Sequence, residues 1–89
     1  MRSTIEALKR VVAKVKSDPA LVERMSDTVD LVDDVGLDSI EMLQLMLEIE
    51  ATLAIRIDFD RLEYSYLRSL TTLADFLDGM PPLSVRAAK

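Results

Sequence analysis

Apolar residues near the start of the chain recur every three or four positions, the period of one face of an α-helix. They are Ile5, Leu8, Val11, Val12 and Val15. Ser3 followed by Glu6 is a capping-box pattern, which predicts the start of this first helix. We expect the helix to stop around Ser17 and Asp18, because Pro19 biases the residue before it away from helical geometry.

Residues 19 to 38 form a long connection before the next periodic segment. Pro19 to Met25 can form a helical turn. The stretch from Asp27 to Asp34 is mostly polar, and its apolar residues are expected to face inward; these are Val29, Leu31 and Val32. Connections longer than about 12–15 residues are uncommon and often functional. This connection delivers the chain to Gly36 and then to Ser39.

A second helix is predicted from Ser39 to about Leu53. Asp38 is the expected N-cap, and Glu41 completes an Asp-x-x-Glu version of the capping box. Both carboxylates suit the positive end of the helix dipole. Ser39 therefore lies at the joint between a loop and an unusually apolar helix.

The second helix carries apolar residues on two sides. The side expected to be buried contains Met42, Leu45, Met46, Ile49 and Leu53. The other side contains Ile40, Leu43, Leu47 and Ala51, with Glu50 and Gln44 beside them. A helix on a small bundle cannot easily bury both sides, so we expect the second side to face water as a docking surface. The alternative is a central, nearly enclosed helix, from which Glu50 reaches the surface by its flexible stem.

Two further helices are expected near the end of the chain. A short third helix is predicted over residues 61–67 with Asp60 as its cap. The last helix is predicted to begin at a threonine cap, Thr71 or Thr72, and to run through Asp78, where a glycine and two prolines follow. A loose tail is expected from about residue 80. The expected core comprises Leu45, Met46, Ile49, Leu53, Phe59, Leu73, Phe76 and Leu77.

Composition narrows the fold class. Hydrophobic residues make up 49% of the chain and aromatic residues only 4%, which favours helices packed through aliphatic side chains over a sheet. A chain of 89 residues has room for one small domain. We therefore predict a single all-α domain over residues 1–89, a four-helix bundle with three longer helices and one short third helix.

The chain contains no cysteine and no histidine. It therefore has no thiolate nucleophile and lacks the most common metal ligand, so we predict no catalytic residue and no metal site. From the sequence we expect neither a signal peptide nor a membrane-spanning segment, and the expected location is the cytoplasm.

Charge is unevenly distributed along the chain. From Asp27 to Asp60 there are ten acidic residues and one basic residue, Arg56, whereas the first 24 residues carry six basic and three acidic ones. An acidic middle repels nucleic acid and attracts basic protein surfaces. A solvated polar face with no partner is the alternative interpretation.

The segment from Val29 to Leu43 resembles the acyl carrier proteins. It contains Gly36-Leu37-Asp38-Ser39-Ile40, and the hallmark of that family is Gly-x-Asp-Ser-Leu at the start of the second helix. The likeness extends through residues 45–50 and the last helix, covering most of residues 3–78. In that family a transferase that uses coenzyme A and Mg²⁺ attaches 4′-phosphopantetheine to the serine. The resemblance implies this covalent cofactor at Ser39, with Asp38 adjacent.

The chemistry of the residues is compatible with that modification. A serine hydroxyl can form a phosphodiester, and a helix N-terminus offers unpaired N–H groups and a positive dipole end to a phosphate. Because the chain has no cysteine, a thiol for thioester chemistry must come from the attached arm. Without the resemblance, Ser39 reads as an ordinary helix-start serine and Asp38 as a plain N-cap.

Departures from the family pattern indicate a specialised carrier. Fatty-acid carriers tend to have more carboxylates on the partner-facing side of the second helix, where this chain has Gln44, Leu47 and Ala51. Residues 56–61 and 64–68 also look unlike the typical acidic third helix. We expect a discrete carrier in polyketide, hybrid peptide or modified-lipid synthesis, with an aminoacyl or peptidyl carrier as the alternative.

The predicted partners are a phosphopantetheinyl transferase and acyl-loading or acyl-processing enzymes with basic surfaces, and the protein is expected to be a monomer. The predicted partner-binding residues are Ile40, Glu41, Leu43, Gln44, Leu47 and Glu50. The main rival is an unmodified helical interaction module that binds a partner through the same helix. An enzyme that relies on carboxylates alone ranks third.

Overall fold

The computed structural model describes residues 2–82, which fold into a bundle of helices. The four α-helices are α1 (Arg2–Val15), α2 (Leu21–Arg24), α3 (Ser39–Leu53) and α4 (Leu70–Asp78), and a 3₁₀ helix covers Tyr64–Arg68. Within the described residues no strand forms, although Ile55 and Pro82 make an isolated bridge. The predicted all-α bundle, with three longer helices and a short one before the last, is confirmed. The helical turn predicted after Pro19 is α2.

Helix α1 packs against α2, α3 and α4, and the 3₁₀ helix packs against α4. The core lies where these helices meet. Its fully buried side chains are Leu8, Val12, Leu31, Leu45, Ile49, Leu70, Leu73 and Leu77. Of the predicted core, Leu45, Met46, Ile49, Leu73 and Leu77 are buried, and Leu53 and Phe76 are partly buried against them. Phe59 was predicted wrongly, because it is 50% exposed.

Three of the predicted helices have different boundaries in the structure. Helix α1 begins at Arg2, so Ser3 lies inside it and is not its N-cap, and α1 ends at Val15 rather than at residue 17 or 18. Ser69, not Thr71 or Thr72, caps α4: its hydroxyl accepts the Thr71 N–H at 3.1 Å. An extended backbone at Ser69 places that hydroxyl at the helix entrance, which is the usual N-cap conformation.

The third difference concerns the short helix, which begins at Tyr64 and has Glu63 at the N-cap position instead of Asp60. Asp58 turns the chain first: its carboxylate accepts the Asp60 N–H at 3.1 Å, and its carbonyl accepts the Arg61 N–H at 3.1 Å. Such local side-chain bonds favour a turn over a helix, so the helical segment is delayed by three residues.

The chain after α4 returns to the end of α3. The Met80 N–H donates to the Leu77 carbonyl at 3.0 Å, and the Arg56 N–H donates to the Pro81 carbonyl at 2.9 Å. Residues 80–82, expected at the start of a loose tail, are therefore hydrogen-bonded to the body of the protein. The rest of that expected tail, residues 83–89, lies outside the described residues.

Asp27 ties the long connection to both α1 and α4. Its carboxylate pairs with Arg2 and, at 2.9 Å, with the Lys9 ammonium. Its carbonyl accepts the Thr71 N–H at 3.0 Å. The hydrogen bond from Arg2, with a further one from Lys9, lowers the pKa of Asp27 to about 2. The connection is thus fixed at its middle before it reaches Ser39.

This cluster predicts a specific acid sensitivity. The folded pKa of Asp27 is depressed, so its stabilising contribution is complete above the ordinary aspartate pKa and is lost as the pH falls towards about 2. We expect wild type to melt at a higher temperature than Asp27→Asn at neutral pH. The difference should shrink through the acid range and vanish only below about pH 2. Thermal unfolding followed by circular dichroism at several pH values measures it, and a difference that does not change with pH would contradict this role.

Candidate functional site

Ser39 is the first residue of α3 and is exposed. Asp38 is the N-cap: its carboxylate accepts the Glu41 N–H at 2.8 Å, and the Asp38 N–H donates to the Glu41 carboxylate at 3.1 Å. The predicted capping box is therefore formed. Because Asp38 does the capping, the Ser39 hydroxyl makes no hydrogen bond within residues 2–82. It is a free primary hydroxyl at a helix entrance.

The backbone at this entrance also has unused donors. The Glu41 N–H is capped and the Met42 N–H donates to the Asp38 carbonyl at 2.8 Å, whereas the N–H groups of Ser39 and Ile40 have no acceptor in the described part of the chain. Unpaired N–H groups and the positive end of the helix dipole favour an anion at this point. A phosphate ester on the Ser39 hydroxyl would be stabilised by these N–H groups and by the helix dipole.

Gly36 gives the loop the turn that leads into α3. Its φ is +80°, a left-handed conformation that side chains rarely adopt. The turn brings Leu37 back into the core, where its N–H donates to the Leu31 carbonyl at 3.2 Å. The loop before Ser39 is therefore anchored rather than open.

Gly36→Ala should destabilise the protein by about 1–2 kcal/mol, the cost of a left-handed backbone for a residue with a Cβ. No heavy atom lies within 4 Å of the added Cβ, so the cost comes from the backbone alone. Gly36→Asn should cost less, because asparagine tolerates this conformation better. Urea unfolding measures both variants, and equal losses in the two would show that the backbone conformation is not the cause.

A pair formed by Asp30 and Arg68 connects the loop before Ser39 to the 3₁₀ helix. The Asp30 carboxylate accepts the N–H groups of Val32 at 2.8 Å and Asp33 at 2.9 Å, and it pairs with the Arg68 guanidinium. The pKa of Asp30 is lowered, mainly because its carboxylate accepts the Asp33 N–H and also because it pairs with Arg68. Burial opposes this effect, since it raises the pKa. The role of Arg68 could not be predicted from the sequence, since no periodic pattern links residues 38 positions apart.

An apolar groove begins beside Ser39. It has a volume of about 470 Å³ and lies between the start of α3 and the segment that contains the 3₁₀ helix. Leu43 and Met46 of α3 line it, and so do Phe59, Leu62 and Tyr64. Phe59 lies at this surface instead of in the core. Residues 64–68 were noted in the sequence only as a departure from the family pattern, and no functional role was predicted for Tyr64.

The predicted outer side of α3 does face water. Ile40, Leu43 and Leu47 are among its exposed large hydrophobic residues, and Gln44 and Ala51 are also exposed. The alternative of a nearly enclosed helix is therefore wrong.

Two predicted members of that surface are engaged elsewhere. Glu41 is only partly exposed and lies 3.1 Å from the Lys16 ammonium. Glu50 accepts the Ile57 N–H at 2.9 Å. The structure thus separates the six predicted residues into four exposed ones and two carboxylates held by the fold.

The basic start of the chain pairs with its acidic middle. Lys14 lies 2.9 Å from Glu48, Lys16 pairs with Glu41, and Arg2 and Lys9 pair with Asp27. Four of the six basic residues at the start of the chain therefore pair with carboxylates of the acidic middle within the fold. No group of side chains able to hold a metal ion occurs among residues 2–82. Over the same residues, no helix is both long and apolar enough to cross a membrane.

Comparison with known proteins agrees with this geometry. A family model described as "Phosphopantetheine attachment site" matches residues 6–77. The chain is also similar to the acyl carrier protein AsbD of Bacillus anthracis, with 31% identity over 81 residues that cover 88% of this chain and 89% of the relative. No solved structure gives a significant match.

Domains of this family carry a covalently attached 4′-phosphopantetheine group, work with transferases and acyl-handling enzymes, and are themselves non-catalytic. The match includes most of α1 and α4 and all of the described helices between them, and so it contains the entrance to α3 where Ser39 lies. The chain therefore belongs to the acyl carrier protein family of phosphopantetheine-binding domains.

Proposed function

We propose that this protein holds acyl intermediates on a 4′-phosphopantetheine arm attached to Ser39 and delivers them to partner enzymes. The observation that carries the proposal is the exposed, unbonded Ser39 hydroxyl at the capped entrance of α3. When bound, the arm supplies the thiol that the chain lacks, which can hold an acyl group as a thioester.

The residues around Ser39 have distinct tasks in this proposal. Asp38 caps the helix, so that the serine hydroxyl is available. The N–H groups of Ser39 and Ile40 have no acceptor in residues 2–82, and they would be available to donate to a phosphate on Ser39. Gly36 and the pair formed by Asp30 and Arg68 fix the approach of the loop. None of these residues is assigned a catalytic role, and the protein acts as a substrate of a phosphopantetheinyl transferase.

The exposed face of α3 favours a specialised carrier. Beside Ser39 it presents Ile40, Leu43 and Leu47 with the neutral Gln44, where fatty-acid carriers tend to present carboxylates. We propose polyketide, hybrid or specialised lipid synthesis as the setting, and a monomer as the working form. The same apolar face also favours an aminoacyl or peptidyl carrier as the second candidate.

Intact mass spectrometry tests the proposal directly. Wild-type protein is incubated with coenzyme A, Mg²⁺ and a promiscuous phosphopantetheinyl transferase. We expect a gain of one phosphopantetheine group per chain, and peptide mapping should place it on Ser39. No gain in mass would reject the carrier function and leave the unmodified interaction module as the better interpretation.

A further inference from the structure

Lys16 connects the end of α1 to the entrance of α3. Its ammonium donates to both carboxylate oxygens of Glu41, at 3.2 and 3.1 Å. Only 26% of the Lys16 side chain and 25% of the Glu41 side chain are exposed. Charges that are partly removed from water are screened less by salt than those of a surface pair. This ion pair therefore shapes the electrostatics two residues beyond the attachment site.

The position of Lys16 is fixed by the way in which α1 ends. Ser17 has a left-handed backbone, with a φ of 55°. Its N–H donates to the Lys14 carbonyl at 3.1 Å, and the Asp18 N–H donates to the Ala13 carbonyl at 2.9 Å. These two bonds form the Schellman motif, in which the residue before the left-handed one closes the helix. Lys16 is that residue, so its side chain starts from a hydrogen-bonded backbone.

Glu41 is also fixed, because the capping box holds it at the entrance of α3. Its carboxylate accepts the N–H of Asp38, the residue directly before Ser39, at 3.1 Å. The Asp38 carboxylate lies at the same entrance, since it accepts the Glu41 N–H. Two negative side chains are thus held beside the serine. Among residues 2–82, Lys16 is the one cation that pairs with either of them.

Attachment of phosphopantetheine brings further negative charge to this entrance. The Ser39 oxygen forms a bond to a phosphorus of the coenzyme A pyrophosphate, and the bond from that phosphorus to the bridging oxygen breaks. Adenosine bisphosphate leaves with the electron pair, and the serine proton is released to solvent. The phosphate that stays on Ser39 remains negatively charged. Repulsion from an unpaired carboxylate at short range would oppose both the reaction and its product.

We propose that Lys16 is a positioning residue for this modification, and that it acts by neutralising Glu41 so that the entrance of α3 accepts a phosphate. The inference rests on the proposed function, because it concerns the phosphate that is attached to Ser39. With Glu41 neutralised, the helix dipole and the unpaired N–H groups of Ser39 and Ile40 are left to attract the phosphate. Glu41, one of the predicted partner-binding residues, thereby has a task within its own chain.

Initial rates of attachment test the proposal. Unmodified protein is incubated with coenzyme A, Mg²⁺ and a promiscuous transferase, and kcat/KM is obtained from intact mass. Lys16→Gln should lower kcat/KM about fivefold, the factor that corresponds to the interaction of two unit charges about 4 Å apart in water. Lys16→Arg keeps the charge and should stay within about twofold of wild type. Circular dichroism verifies that each variant is folded.

Lys14→Gln is the matched control. It breaks a similar pair between α1 and α3, the 2.9 Å contact of Lys14 with Glu48. Glu48 lies about 14 Å along the helix from Ser39, which is beyond the distance over which exposed charges interact strongly at physiological salt. This control should change kcat/KM less than about 1.5-fold.

A double variant separates the charge of Glu41 from any other role of Lys16. Lys16→Gln combined with Glu41→Gln should restore kcat/KM to within about twofold of wild type. Glutamine at position 41 can keep the capping hydrogen bond, and it carries no charge to repel the phosphate. The defect of Lys16→Gln relative to wild type should also shrink at about 500 mM NaCl, because added ions screen the repulsion.

The melting temperatures of the fully modified proteins give a second readout, with no transferase present. Attachment should raise the melting temperature of Lys16→Gln less than it raises that of wild type, because only the variant places the phosphate beside an unpaired carboxylate. A contact between Lys16 and the transferase could not produce this difference.

Two results would overturn the proposal. A double variant that is as slow as Lys16→Gln would show that Lys16 does not act through Glu41. Equal kcat/KM values for Lys16→Gln and Lys14→Gln would show that the position of the charge beside Ser39 does not matter. Failure of the proposed function is distinguishable from both, because wild type itself would then gain no mass.

Discussion

Replacing Ser39 with alanine is expected to abolish attachment of phosphopantetheine. The reason is chemical: alanine has no hydroxyl with which to form the phosphodiester. Intact mass after incubation with coenzyme A, Mg²⁺ and the transferase should show a complete gain for wild type and none for the variant. A gain that survives in Ser39→Ala would move the attachment site to another residue.

The matched control is Ser65→Ala, which removes another exposed serine hydroxyl, in the 3₁₀ helix. It should be modified as completely as wild type. Ser39→Ala should also keep its stability within about 0.5 kcal/mol, since Asp38 caps α3 and the Ser39 side chain bonds to nothing. A loss near 1 kcal/mol, typical of a missing cap, would instead show that Ser39 has the structural role.

The second large effect concerns the opposite side of α3. Leu45→Ala should lower the free energy of unfolding by about 2–5 kcal/mol, because it leaves a cavity at a fully buried position where α3 packs against the core. That is a large part of the total stability of a small domain, which is of the order of 5–15 kcal/mol. Urea denaturation followed by circular dichroism gives the value.

Leu47→Ala is the control, since the same substitution is made on the same helix at a side chain that is 56% exposed. We expect a loss of about 0.5 kcal/mol or less for it. Attachment of phosphopantetheine to Leu45→Ala, measured below its unfolding transition, should still reach completion. Equal losses for the two leucines would mean that the outer side of α3 is covered by the protein itself, contrary to its exposure in the structure.

Local chemistry explains which parts of the site could be predicted. The capping box joins Asp38 to Glu41, three residues away, so the pattern is visible in the sequence and the structure confirms it. The two apolar sides of α3 were predicted by helical period alone, and one is buried while the other is exposed. Both cases depend on spacing within a single element.

Contacts between distant parts of the chain could not be predicted in this way. Lys16 pairs with Glu41 across 25 positions, and Arg68 pairs with Asp30 across 38. Neither pairing follows from composition, so the sequence could not show that Asp30 and Glu41 of the acidic middle are engaged by the fold. Phe59 was placed in the core because it is large and apolar, but the Asp58 turn holds its segment at the surface.

The long connection before α3 is held at two points, Asp27 and Asp30, and this affects how segments can be exchanged between carrier proteins. Asp27 binds the entrance of α4 through Thr71, and Asp30 binds the 3₁₀ helix through Arg68. These contacts connect two segments that are far apart in the sequence, residues 27–38 and 68–71. Together the two segments determine the position of Ser39. A chimera that receives residues 27–38 without residues 68–71 would contain the loop before Ser39 but lack the contacts that fix its position. The unit to transfer between carriers therefore consists of two segments that are separate in the sequence.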